Sequence, residues 1–185
     1  MQQIDFSNPV TIAVLVGIVV LILIVIGVIL QSRKKARLQQ RFGTEYDRTV
    51  REVGADKAHA RLERREAEVE KLKLRDLMPA QRDRFVADWS AVQARFVDHP
   101  KGALIEADEL VTSLLQARGY PAANFEQNAE YLSVSHAGMM GDFRSAHEVM
   151  ARSGRGEAST EELRTAMIRY RGLFDELVGV TAAVR

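Results

Sequence analysis

The side chains best suited to metal chemistry in this chain are its four histidines, at positions 59, 99, 136 and 147. Di-iron helical bundles use the pattern Glu-x-x-His, because residues three apart lie on the same helix face. Only Asp56-x-x-His59 approaches that pattern, in a densely charged segment where such a pair is common by chance. We therefore predict no metal site and no cofactor.

A second candidate for chemistry is a group of three carboxylates, Glu106, Asp108 and Glu109. Paired carboxylates act as general acid and base when a cleft raises one of their pKa values. Nothing in the surrounding pattern indicates a cleft, so we predict that these carboxylates form a solvated outer helix face. Cysteine is absent, which excludes disulfides, zinc–thiolate sites and thiol catalysis.

The element that positions the whole chain is an uncharged run of 21 residues, Val10–Leu30. As a helix it is about 30 Å long, which matches the hydrocarbon core of a bilayer. We predict a transmembrane helix over residues 10–30, preceded by a short extracytoplasmic N-terminus over 1–9. A cleaved signal peptide fits badly, because the apolar run is too long and the residues at its exit are bulky.

A basic juxtamembrane segment follows the apolar run, over residues 31–43. It carries five basic and no acidic residues, whereas the N-terminal side has no Lys or Arg. Because basic flanks stay in the cytoplasm, we predict an outside N-terminus and a cytoplasmic C-terminal domain. The cluster could also bind anionic lipid headgroups, each cation contributing about 1 kcal/mol, although a topology signal alone explains it. The five residues are Arg33, Lys34, Lys35, Arg37 and Arg41.

Residues 44–76 are predicted to form a charged helical stalk. Nine basic and nine acidic residues crowd residues 42–78, and apolar residues are few. Ion pairs such as Arg64 with Glu68 support an exposed helix but add only a few tenths of a kcal/mol each. We predict a solvated spacer, or else one strand of a short coiled coil that lets the chain self-associate.

Residues 77–178 are predicted to form a small bundle of about five helices, followed by a C-terminal tail over 179–185. Each helix carries one apolar stripe, and no run alternates with the period of a strand, so the fold class is all-α. Gly119 suits the residue after a helix end, and Ser159 with Glu162 forms a capping box. Trp89 lies mid-stripe and is expected to pack on the last helix near Tyr170 or Phe174.

Two classes of function remain open. By elimination we favour a non-enzymatic, membrane-anchored scaffold or interaction module, whose partner is an unknown protein or a second copy. Nucleic acid is not expected as a partner, because residues 79–185 hold 12 basic and 15 acidic residues. The alternative is a membrane-tethered enzyme or ligand-binding domain with a site assembled from scattered residues. Candidates for that site are Asp88, Arg95, Arg144 and His147.

The chain contains five distinctive stretches: RFGTEYDRTV (41–50), DWSAVQARFVDHP (88–100), ARGYP (117–121), FEQNAEYLSVSH (125–136) and GEASTEELRTAMIRYRGLFDEL (156–177). They resemble a family of uncharacterised bacterial single-pass membrane proteins, often labelled hypothetical or secreted. The resemblance covers nearly all of the chain after the apolar run, and it implies a bacterial membrane protein with a helical domain. We expect the protein in the bacterial inner (cytoplasmic) membrane. The resemblance carries no activity, substrate or catalytic residue, and this chain has Thr44 where the relatives tend to have Pro.

Overall fold

A computed structural model describes residues 9–179 of the protein, and within that range the chain is all-α. It forms eight α-helices and one 3-10 turn, with no strand among the described residues. The predicted N-terminal segment (apart from Pro9) and residues 180–185 of the predicted tail lie outside the described range. The helices are α1 (Pro9–Phe42), α2 (Thr44–Val53), α3 (Ala55–Glu70), α4 (Pro79–Phe96), α5 (Pro100–Ala117), α6 (Phe125–Leu132), α7 (Met140–Gly154) and α8 (Thr160–Val178).

The chain divides into two compact units, one ending at Arg41 and one beginning at Phe42. α1 is a single helix that runs from the apolar segment through the basic one, so their predicted boundary is not a helix end. The most apolar 18-residue window of this helix, within Leu15–Phe42, has a mean hydropathy of 3.0. By length and composition, α1 could therefore cross a membrane.

The bundle core lies between α4, α5, α7 and α8, with α6 packed at one side. Each of these helices buries one apolar stripe, as the sequence spacing predicts. The indole of Trp89 is 3% exposed and stacks on Phe174 of α8, with ring centroids 4.6 Å apart. The predicted contact between Trp89 and the last helix is thus confirmed.

The predicted spacer over residues 44–76 is wrong, because α2 and α3 fold onto the bundle. α3 packs on α6, and α2 packs on the 3-10 turn at Ala137–Met139. Leu62 is fully buried and Val69 is nearly so, although their stripe is narrow. Arg65, which interrupts the apolar pattern, is also buried and donates to Glu130 of α6 at 2.6 Å. We expect a chain starting at Leu77 to be less stable than the full chain, because it lacks this layer.

Several helix ends have local causes. α5 begins at Pro100, since proline is tolerated in a first helical turn. The sequence Ser153-Gly154-Arg155-Gly156 is typical of a loop, but α7 continues to Gly154, and the hydroxyl of Ser153 donates to a carbonyl of its own helix. The capping box that starts α8 is confirmed by reciprocal hydrogen bonds of 3.3 and 2.8 Å between Ser159 and Glu162.

Gly119 ends α5 in a left-handed conformation, with φ of 96°. A Cβ atom at this position would lie 2.6 Å from the backbone carbonyl oxygen of Lys73. We expect Gly119→Ala to destabilise the bundle by about 1–3 kcal/mol, because the backbone strain adds to the steric conflict. Urea unfolding of the full chain in detergent measures the change.

Gly102→Ala is the matched control for this substitution. Gly102 lies inside α5, and a Cβ atom there meets nothing within 4 Å. Alanine at that site is expected to stabilise the chain by about 0.5–1 kcal/mol. Equal unfolding midpoints for the two variants would contradict the left-handed end of α5.

Candidate functional site

The predicted basic cluster lies on the second half of α1, and all five of its side chains are exposed. Because α1 is unbroken here, Arg33, Arg37 and Arg41 repeat every four residues and share one helix face. The cluster begins three residues after Leu30, the last residue of the apolar run. Such a face is suited to contact with anions at a membrane surface.

The structure does not bring the four scattered candidates together. Asp88 and Arg95 line a groove between α4 and α5. Arg144 and His147 lie on α7 and bind partners on other helices. The predicted composite site of these four residues is therefore wrong, because two of them line the groove and the other two lie on α7.

Half-buried His147 and Asp108 form a polar cluster with the buried Tyr170. Nδ1 of His147 lies 3.2 Å from Oδ1 of Asp108, and the Tyr170 hydroxyl donates to the same oxygen at 2.7 Å. Phe125 stacks on the imidazole, with ring centroids 3.6 Å apart. Burial raises the pKa of the Tyr170 hydroxyl well above its ordinary value, and the charge and hydrogen bond of Asp108 raise it further. The cluster joins α5, α7 and α8 by polar contacts inside the bundle.

The prediction that all three carboxylates of α5 form a solvated face is wrong for Asp108. A signal for its inward position exists in the sequence, because Leu104, Asp108, Val111 and Leu115 are spaced four, three and four apart. That spacing places Asp108 on the buried stripe of α5. Its partners are 39 and 62 residues away along the chain, so no local pattern identifies them.

Arg144 ties α7 to α2 and α6 through two carboxylates. Its Nε donates to Glu45 at 3.2 Å and its Nη1 donates to Glu126 at 2.7 Å. Burial alone would lower the pKa of the Arg144 guanidinium, but the hydrogen bonds and charges of Glu45 and then Glu126 raise it above its ordinary value. Arg144 therefore acts as a charged clamp between the helices, with Glu45 only 4% exposed beneath it.

A second clamp joins α3 to α6, where both Arg61 and Arg65 donate to Glu130. Burial by itself would raise the pKa of the Glu130 carboxyl, but the hydrogen bonds from Arg61 and Arg65 outweigh it and hold this pKa below its ordinary value. Because the folded pKa lies below the unfolded one, this carboxylate stabilises the fold at neutral pH. That contribution is lost as the pH falls through the lowered pKa.

We accordingly expect Glu130→Gln to flatten the acid limb of the stability profile. The midpoint of urea unfolding should fall less steeply in the variant than in the wild type between about pH 6 and about pH 3. Parallel profiles for the two proteins would show that the carboxylate of Glu130 does not hold α3 on α6.

A groove between α4 and α5 forms an open concavity on the bundle surface. Two adjoining cavities of about 390 and 330 Å³ share Asp88, Leu110 and Ser113. The floor is apolar, with half-buried Phe85 and Leu110 and buried Val92. The groove is thus a long depression with an apolar base and polar walls.

The walls of this groove carry three carboxylates and two arginines. Arg95 binds Glu106, and Arg84 lies 3.9 Å from Asp88. The exposed carboxylate of Glu109 makes neither a hydrogen bond nor an ion pair within residues 9–179. The groove therefore has an unmatched negative charge near its middle.

A third cavity, of about 410 Å³, lies between α7 and α8. Its two arginines are already paired, Arg152 with Glu162 and Arg169 with Asp142. No three metal-ligating side chains cluster in the described part of the chain. The α4–α5 groove is consequently the strongest candidate for contact with another molecule.

Comparison of the chain with protein-family profiles, with curated protein sequences and with solved structures gave no match.

Proposed function

We propose that the protein is a single-pass membrane protein whose helical domain serves as a non-enzymatic interaction module. The observation that carries this proposal is the α4–α5 groove, which is open along two core helices and has an apolar floor. The half-buried polar clusters around Asp108 and Arg144 are engaged between helices, which supports a structural role for them. We therefore propose the groove as the surface that binds a partner.

The proposed location is the bacterial inner membrane, with the N-terminus outside and the bundle in the cytoplasm. Five basic residues after the apolar run, against none before it, support this orientation. The same residues would contact anionic headgroups at the cytoplasmic surface. The bundle itself carries a net charge of −3 over residues 79–185, from 12 basic and 15 acidic residues, so its own charge does not draw it onto that surface.

Reporter fusions after Arg185 test the orientation. We expect a fluorescent protein fused there to be fluorescent and alkaline phosphatase to be inactive, because the phosphatase folds only outside the cytoplasm. Active phosphatase would overturn the cytoplasmic assignment. Reversing the flank, with all five basic residues of the cluster changed to Gln and two lysines added before the apolar run, should invert both signals.

Site-specific photocrosslinking of the full chain in its native membrane tests the interaction module. A benzoylphenylalanine is placed at Ser113 in the groove and, in a separate variant, at exposed Ile168 on α8. The proposal expects a protein adduct from at least one of these faces. Absence of protein adducts from both faces contradicts it.

The alternative is a membrane-tethered enzyme or ligand-binding domain that uses the same groove. The observation in its favour is the cavity volume, about 390 Å³, which lies within the range of small-ligand sites. A small molecule retained by the purified chain, and lost on Leu110→Trp, which fills the floor of the groove, would favour this alternative.

A further inference from the structure

The shape of the α4–α5 groove fits an elongated occupant. On α4 its lining residues lie between Gln81 and Arg95, at spacings of three and four that keep them on one helix face. At 1.5 Å per residue, this face is about 21 Å long, or four helical turns. On α5 the lining extends from Glu106 to Ala117, which is about 17 Å by the same measure. A helix of about four turns would therefore span the longer wall of this groove.

The charges along the groove indicate the chemistry of that occupant. The arginines stand toward the two ends, at Arg84 and Arg95, and each has a carboxylate close by. Asp88 and Glu109 lie nearer the middle, where Asp88 is 51% exposed at its side chain and Glu109 has no cationic partner in the described structure. A cation from another molecule would pair with these two carboxylates, above the apolar floor of the groove.

Resting on the proposed function, we propose that the groove binds an amphipathic helix of a partner protein, with an apolar stripe and a lysine or arginine near its middle. The stripe packs on Phe85, Val92 and Leu110, and the cation meets Glu109 and Asp88. Helix-in-groove recognition uses this arrangement of apolar anchors at helical spacing. Lys and Arg are also enriched in the cytoplasmic loops of membrane proteins, which are available to a cytoplasmic domain.

A second copy of this chain fits the groove less well. In a two-fold symmetric contact each residue near the axis faces its own equivalent. The middle of the groove would then bring Glu109 and Asp88 against the same carboxylates of the other copy, and like charges in contact oppose association. Charge complementarity therefore selects a basic partner.

The test is the chemistry of the peptide that crosslinks to the groove. The full chain carrying benzoylphenylalanine at Ser113 is irradiated in its native membrane, and the crosslinked peptide is sequenced by mass spectrometry. We expect a segment with apolar residues at helical spacing over about four turns and with Lys or Arg at its centre. An acidic segment, a segment without helical periodicity, or a segment of this chain itself would overturn the proposal.

Charge reversal supplies the quantitative arm of the test. Glu109→Lys and Asp88→Lys should each lower the yield of the Ser113 adduct about tenfold, because a like charge replaces the attractive one. Asp83→Lys is the matched control, since Asp83 is exposed on the side of α4 away from the groove, and it should leave the yield within about twofold. Equal yields from the Glu109→Lys and Asp83→Lys variants would overturn the electrostatic part of the proposal.

The two proposals fail in distinguishable ways. Adducts from Ile168 together with none from Ser113 would retain the interaction module and reject this groove as its site. No adduct from either position would reject both. All exposed-site variants should melt within a few degrees of the wild type, which separates lost binding from lost folding.

Discussion

Replacing Trp89 with alanine is expected to destabilise the bundle by about 3–5 kcal/mol. The indole is 3% exposed, and it stacks on Phe174 with ring planes 20° apart. Its removal leaves a cavity between α4 and α8. It also loses the free energy gained when the indole is transferred from water into the core. A domain of this size has a free energy of unfolding of about 5–15 kcal/mol, so the variant should lose a large part of it. Thermal melting followed by far-ultraviolet circular dichroism measures the shift.

Two further variants control for this substitution. Val97→Ala removes apolar atoms at a side chain that is 82% exposed, and it should change stability by less than about 0.5 kcal/mol. Trp89→Phe should cost less than Trp89→Ala, since it keeps a ring against Phe174 and removes an indole N–H that has no partner in the described structure. A Trp89→Ala protein that melts like the wild type would contradict the observed core.

Replacing Arg144 with alanine is expected to cost about 3 kcal/mol, because it leaves the buried Glu45 carboxylate without its main partner. Glu45 is 4% exposed, and its remaining cation is Arg48 at 3.7 Å. The loss should appear as loosening of α2, since Arg144 links α7 to that helix. Hydrogen exchange at the amides of α2, together with urea unfolding, measures both effects.

A double-mutant cycle separates the clamp from general damage. The Glu45→Ala/Arg144→Ala protein should lose less than the sum of the two single losses, since the double variant buries no unpaired charge. Arg164→Ala serves as a control, because Arg164 and Glu161 are 65% and 75% exposed and such pairs contribute at most about 1 kcal/mol. Additive losses in the cycle would show that Arg144 and Glu45 act independently.

The sequence by itself determined the features that depend on neighbouring residues. The apolar run of α1, the capping box of Ser159 and the left-handed end at Gly119 each follow from a few adjacent side chains. The apolar stripe through Trp89 likewise predicted its burial against the last helix, because an amphipathic helix in a small bundle has few surfaces to cover. These features need no information about distant parts of the chain.

The tertiary structure alone decided where α2 and α3 lie and which polar residues meet. In the sequence, Arg65 only interrupts the apolar stripe of α3. In the structure it donates to Glu130, which lies 65 residues later in the chain. In the sequence, Glu45 resembles a solvated acidic residue in the first turn of a helix. In the structure it is covered by Arg144, which lies 99 residues away. An ion pair across such separations depends on the path of the whole backbone. Local periodicity therefore described α3 as an exposed spacer, whereas its buried apolar side chains and its ion pairs with Glu130 together hold it on the bundle.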